Sequence, residues 1–322
     1  MRKSGKVHKK RLFIVILIVA VFLTGCWKTD DAQDINAHVP RKFGATYMTM
    51  NNPYFVVLNE NIKEVVEANG DILITRDPLQ DQEKQNQQIE EMIEAGVEAI
   101  FINPVDWKTV EPSLKRCQEN GVALFNIDTN VYNNEYIVST IISDNYNAGV
   151  QCARDMMLKR DEADIVILNH NNINSTQLRV QGFLDTIAGN DTFRVVEHRK
   201  TTAELEVAME EMKDIINQGY EFDVVLGGND PTALGCLSAM QLNHIDGDIL
   251  LYGIDGSPDA KAMIKAGYME GTSAQSPINI GRTAAETAYQ YLDGITVAEE
   301  IKIPVNLITA KNLSEYDIGG WQ

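Results

Sequence analysis

From residue 43 onward, short apolar runs of strand length alternate with stretches of helical period, and this rhythm constrains the fold more than any other feature. The runs FGATYM (43–48), DILIT (71–75), EAIFI (98–102) and VALFNI (122–127) are rich in β-branched and aromatic residues, as strands require. Between them Leu58, Ile62, Val65 and Val66 recur at i, i+4, i+7 and i+8, and Ile89, Met92 and Ile93 at i, i+3 and i+4. Those spacings describe amphipathic helices lying on a sheet. Gly70, Gly96 and Gly121 each stand just before the next strand, where a helix end calls for positive φ. Such βαβα alternation implies a parallel sheet covered on both faces. The pattern then restarts, with strands at ADIVIL (163–168), FRVVEH (193–198), FDVVLGG (222–228), DILLYGI (248–254) and EGTSA (270–274). Leu205, Ala208, Met212, Ile215 and Ile216 share one helix face between them. With 322 residues, 44 % of them hydrophobic, the chain can fill two cores. The expected fold is α/β, two similar doubly wound, Rossmann-like parallel-sheet domains.

The amino-terminal segment has another character. Residues 1–25 hold Arg2, Lys3, Lys6, Lys9, Lys10 and Arg11 and no acid, followed by the apolar run LFIVILIVAVFL (12–23). That run is shorter than the roughly 20 residues a spanning helix needs, so 1–25 reads as a secretory signal. Leu23-Thr24-Gly25-Cys26 resembles a bacterial lipobox, which implies cleavage before Cys26 and lipidation of its thiol. The polar stretch 26–42 lacks periodicity and suits a tether. Removing six basic residues from 28 leaves 22 against 46 acidic, a balance of −24 that opposes nucleic acid as a partner.

Three cysteines remain beyond Cys26: Cys117, Cys152 and Cys236. Each lies among apolar residues of a helical segment, without a CxxC partner, and reads as a buried inert thiol. The five histidines are scattered, no HExxH or paired Cys/His spacing occurs, and no metal or cofactor is expected.

In open parallel sheets ligands bind beyond the carboxyl ends of the strands, so two facing domains would enclose a cleft lined by the loops that follow strands. Those loops are 49–55, 103–106, 128–130, 169–179, 229–231, 255–259 and 275–277, rich in Asn, Asp, Gln, Arg and aromatic residues. Planar groups of this kind donate and accept in pairs to adjacent hydroxyls, while rings cover apolar C–H faces. The segments MNNPYF (50–55), INP (102–104), NID (126–128), LRVQGF (178–183), GGNDPTALG (227–235), YGIDGSPDA (252–260) and GTSAQSPINIG (271–281), in that order, resemble the ribose/galactose-type periplasmic sugar-binding proteins of ABC importers. The resemblance runs from about residue 42 to about residue 303.

It implies a ligand set of Asn52, Tyr54, Phe55, Asn103, Asp128, Arg179, Asn229, Asp255 and Gln275. It also implies an N-terminal lobe of residues 43–143 plus 276–303 and a C-terminal lobe of 144–275 plus 304–322. Three hinge strands would cross near 143–145, 274–276 and 303–305. Two departures bear on the pocket: Thr129 stands where ribose-binding relatives have Arg, and Leu205 where they have a ring. Trp107, Tyr132 and Tyr146 are candidate replacement rings, and Trp321 is expected to pack on the second lobe.

The implied function is capture of a monosaccharide or related polyol by cleft closure and its delivery to an ABC permease. The protein would be a monomer, lipid-anchored on the outer face of the cytoplasmic membrane. A binding protein reporting to a membrane sensor kinase or chemoreceptor would share these features. A sugar-responsive transcription regulator core is disfavoured, because the lipobox occupies the place of a helix-turn-helix and the charge is acidic. An enzyme is disfavoured as well, since GxGxxG after the first strand, GxSxG and GxxxxGK[ST] are all missing.

Overall fold

The computed structural model describes residues 39–245 and 247–322. The expected signal segment, Cys26 and most of the tether lie outside the described residues. The tether's assigned end is one residue too long, because Lys42 already opens the first strand.

Two six-stranded sheets form the two lobes. The first holds β1 (Lys42–Thr46), β2 (Ile72–Arg76), β3 (Ala99–Ile102), β4 (Ala123–Ile127), β5 (Ser139–Ser143) and β11 (Glu300–Ile303), in the order β2-β1-β3-β4-β5-β11 and all parallel. The second holds β6 (Ala163–Asn169), β7 (Phe193–Lys200), β8 (Val224–Gly227), β9 (Leu250–Asp255), β10 (Gly271–Ala274) and β12 (Asn306–Thr309). Its order is β7-β6-β8-β9-β10-β12, and only β12 runs antiparallel to its neighbour. All nine strands expected from the sequence are present. The three strands β5, β11 and β12, outside those nine, complete the sheets.

Alternation along the strands explains why both faces are covered. In β3, Ala99 and Phe101 point to α1 (Pro53–Ala68) and α9 (Pro277–Leu292), while Ile100 and Ile102 meet α2 (Gln82–Glu94) and α3 (Glu111–Glu119). In β6, Ile165 and Ile167 meet α4 (Asn145–Met157) and α5 (Asn174–Ile187). Val166 and Leu168, on the other face, meet α6 (Leu205–Asn217), α7 (Asp230–Leu242) and α8 (Pro258–Ala266). Gly70, Gly96 and Gly121 adopt φ of +77°, +75° and +72°, as their positions before strands require. Cys117, Cys152 and Cys236 are free and buried, and burial pushes the Cys117 thiol up to about 12 and the other two higher.

The chain passes between the sheets three times, from β5 into α4, from β10 into α9 and from β11 into β12. Among the described residues no helix is long and apolar enough to cross a membrane.

The segment after β12 departs from expectation. Ile318 and Tyr316 pack on the second lobe, but Trp321 packs on the core of the first, edge-on to Tyr54 with ring centroids 5.8 Å apart. The expected docking of Trp321 on the second lobe is therefore corrected.

Candidate ligand-binding cleft

The carboxyl ends of the parallel strands from both sheets converge on a cavity of ≈ 540 Å³ between the lobes. Its size lies within the range of about 300–1,000 Å³ usual for small-molecule sites. Eight of the nine residues singled out from sequence line it: Asn52, Tyr54, Phe55, Asp128, Arg179, Asn229, Asp255 and Gln275.

Helix starts place several of them. Asn52 caps α1, its side chain accepting from Tyr54 N at 3.0 Å, with Pro53 opening the helix. That turn directs Tyr54 and Phe55 inward, where the two rings meet edge-on at 5.3 Å. Asn229 caps α7 by accepting from Thr232 N at 3.0 Å, and its Nδ2 donates to Ala203 O at 3.1 Å. Ser257 and Ser276 cap α8 and α9, each followed by Pro.

Asp128 follows β4 with φ of +65°, a left-handed conformation that a short polar side chain tolerates better than most. Asn103 does not line the cavity. It lies behind Asp128, fully buried, donating to Asp128 Oδ2 at 3.0 Å and accepting from Met48 N at 3.0 Å. Its place is to orient the carboxylate.

Arg179 is 3 % exposed, so its helix does not present it to solvent. Nε donates to Asn145 Oδ1 at 2.8 Å, Nη1 donates to Gly228 O at 2.8 Å, and Nη1 lies 3.7 Å from Asp255 Oδ1. Asp255, at the end of β9, accepts from Gln275 Nε2 at 2.7 Å on the same Oδ1. Its Oδ2 accepts no hydrogen bond from any described residue, although the side chain is buried. Gln275 Oε1 in turn accepts from Tyr54 OH at 3.4 Å. One guanidinium thus pairs with Asp255, and its charge also acts on Asp128.

Burial pushes the Asp255 carboxyl up to about 8; Arg179 opposes the shift, and the charges of Asp230 and Asp128 add to it. Burial also raises Asp128, against the pull of Arg179, the neighbouring Tyr54 hydroxyl and the hydrogen bond from Asn103. The upward shift favours the protonated form of Asp255 in the empty cleft, so that the pair can offer both a hydroxyl donor and an acceptor. Asp230 stands behind this layer, accepting from Thr272 Oγ1 at 2.6 Å and from Ser257 N at 2.7 Å, and so fixes the turn after Asp255.

The remaining walls include Met48, Ile173, Leu205 and Leu234, together with Thr202, Glu204 and Gln80 at the rim. Leu205 does occupy the wall, as the resemblance implies. The proposed replacement rings do not: Trp107 and Tyr132 stack edge-on with each other under Lys108, and Tyr146 OH donates to Asp185, all away from the cavity. Thr129 is likewise not a wall residue; its Oγ1 accepts from Ser175 N at 3.1 Å, joining one lobe to the other. A second cross-cleft bond runs from Gln80 Nε2 to Glu204 Oε1 at 2.7 Å.

Gln80 and, apart from Leu205, the wall residues Thr202, Ala203, Glu204 and Glu206 went unnoticed in the sequence because they follow the edge strands β2 and β7. The strand-end rule, applied to every strand rather than to the central ones, would have found both loops. Among the described residues no group of three or more His, Cys, Asp or Glu is placed to hold a metal ion.

A family model described as "Periplasmic binding protein domain" matches residues 43–296. The ribose import binding protein RbsB of Bacillus subtilis (strain 168) is 28 % identical over 313 residues, covering 94 % of this chain and 100 % of the relative. Among solved structures, an ABC transporter solute binding protein from Bacillus halodurans C-125 with bound myo-inositol superposes with a TM-score of 0.80 at 25 % identity. That match covers 86 % of this chain and 96 % of the other. The Caulobacter myo-inositol binding protein bound to myo-inositol gives 0.81 at 25 % identity, covering 86 % and 97 %.

Proposed function

The chain belongs to the periplasmic binding protein domain family, and from that premise we propose that it is an extracytoplasmic solute-binding protein that captures a monosaccharide or cyclitol and hands it to an ABC permease. The observation that carries the reading is the interlobe cavity, in which Asp128, Arg179, Asp255 and Gln275 converge on a space bounded by Tyr54, Phe55 and Leu205. Hydroxyls on a ring pair with the first group and the C–H faces of that ring lie on the second. The relatives' ligands, ribose and myo-inositol, have this chemistry.

Capture involves no covalent step. Lobes 43–143 plus 276–303 and 144–275 plus 304–322 rotate about the three crossovers, and closure makes the Thr129–Ser175 and Gln80–Glu204 contacts. An epimer that leaves a buried partner unpaired loses about 1–3 kcal/mol. Residues 1–25 act as an export signal, and lipid on Cys26 holds the monomer at the outer face of the cytoplasmic membrane. Asn103 supports Asp128 rather than touching ligand.

A thermal-shift screen against aldopentoses, aldohexoses, 6-deoxy sugars and cyclitols tests the reading. One class should raise the melting temperature in proportion to the logarithm of its concentration. Absence of any response across all four would sink it.

A further inference from the structure

Residues 317–322 follow β12 and the short turn Leu313–Glu315, and they lie over the hinge. Lys261, on α8 of the second lobe, is fully buried, and its Nζ donates to Asp317 O at 2.5 Å and Gly320 O at 2.6 Å. With the Gln322 amide oriented to satisfy both its neighbours, its oxygen accepts from the same Nζ at 2.6 Å and its nitrogen donates to Gly256 O at 3.2 Å. All three donors of the ammonium are thereby spent on this segment. A buried ammonium deprived of those acceptors would be costly, so the segment is held firmly on the second lobe. Ser276 Oγ, in the crossover between β10 and α9, donates to Gln322 O at 2.6 Å. Trp321 then reaches the first lobe and sets its ring against Tyr54.

Beyond Lys261, the anchors adjoin or form the cleft wall. Gly256 follows Asp255, Ser276 follows Gln275, and Tyr54 is itself in the cavity wall with its hydroxyl toward Gln275. The segment is the outer backing of the wall that Tyr54, Asp255 and Gln275 form.

We propose that residues 317–322 are a strap across the hinge, a fourth and non-covalent connection between the lobes, and that Trp321 is a positioning residue that holds the Tyr54 ring against the ligand. The strap requires only the contacts above; the positioning role rests on the sugar-cleft reading. Opening the lobes must either carry Tyr54 with the strap or separate the two rings, so the strap biases the empty protein toward closure.

The test uses the full chain, with Trp321→Ala, Trp321→Phe and deletion of residues 318–322. Small-angle X-ray scattering of the unliganded proteins reads lobe separation, and calorimetric titration with D-ribose and with myo-inositol reads the cleft. Trp321→Ala and the deletion should raise the unliganded radius of gyration. They should weaken the sugar that wild type binds about tenfold and change the ratio between the two sugars, and Trp321→Phe should restore most of both. Because the deletion strands buried Lys261, Trp321→Ala is the decisive variant. Wild-type scattering in Trp321→Ala overturns the strap, and altered scattering with unchanged affinity and sugar ratio overturns the positioning role. If wild type binds neither sugar, the choice of ligand class fails, and the scattering still decides the strap.

Discussion

Replacing Asp255 by Asn separates the two demands made on this side chain. The amide keeps the shape and an oxygen to accept from Gln275 Nε2, now at 2.7 Å, but removes the ionisable group 3.7 Å from Arg179. Asp255 lines the ligand space and no described residue donates to its Oδ2, and a bond from a sugar hydroxyl to a charged acceptor is worth about 1.5–3 kcal/mol. Its loss should weaken the best sugar by about 10- to 150-fold in calorimetric titration at about pH 9, above the region near 8 where the carboxyl ionises.

The empty protein should respond in the opposite sense. Burial raises the folded carboxyl to about 8, far above the ordinary carboxylate range, so the folded state binds the extra proton. Wild-type stability from this group is fully present below pH 4 and is lost as pH rises toward 8. Asp255→Asn has no such group, so its melting temperature should fall less between pH 5 and pH 8 and exceed the wild type's at pH 8. An unchanged sugar affinity together with an unchanged pH profile would refute the placement of Asp255 in the cleft.

Other outcomes follow from contacts elsewhere. A Cβ at Gly149 would lie 1.8 Å from Arg179 O, so Gly149→Ala should push α4 from α5 and cost about 3 kcal/mol in urea unfolding; a wild-type midpoint would show that the helices yield freely. Gln80→Ala removes the rim bond to Glu204 and should speed sugar release about 2- to 10-fold in stopped-flow measurements, with an unaltered off-rate counting against a latch. Cys26→Ser should free the protein from membranes in fractionation, and persistence of the uncleaved chain as an integral protein would favour a membrane-spanning segment instead. Cys117, Cys152 and Cys236 should resist thiol reagents until the protein unfolds, and rapid modification in native buffer would contradict their burial.

The strands of both lobes were legible because each is a short apolar run bounded by a helix of different period. β5, β11 and β12 were harder: Ser139–Ser143 begins with two hydroxyl residues, and β11 shows an exposed and half-buried alternation of only four residues. The cleft residues were legible as types and loop positions, since a strand end followed by Asn, Asp or Gln recurs in both halves. Their division of labour was not. Asn103 and Asp128 look equivalent in sequence, yet one lies behind the other.

The sequence by itself determined the elements and their faces, because the periods of 2.0 and 3.6 are properties of the backbone and show within a dozen residues. Tertiary structure decided which groups share a site. Tyr54 meets Gln275 across 221 positions, Trp321 crosses to the first lobe, and Lys261 spends its donors on residues 317–322. No local pattern encodes those meetings. They arise because three crossovers return the chain to sheets it has already built, and because a buried charge or ring must find whatever partner that return brings within reach.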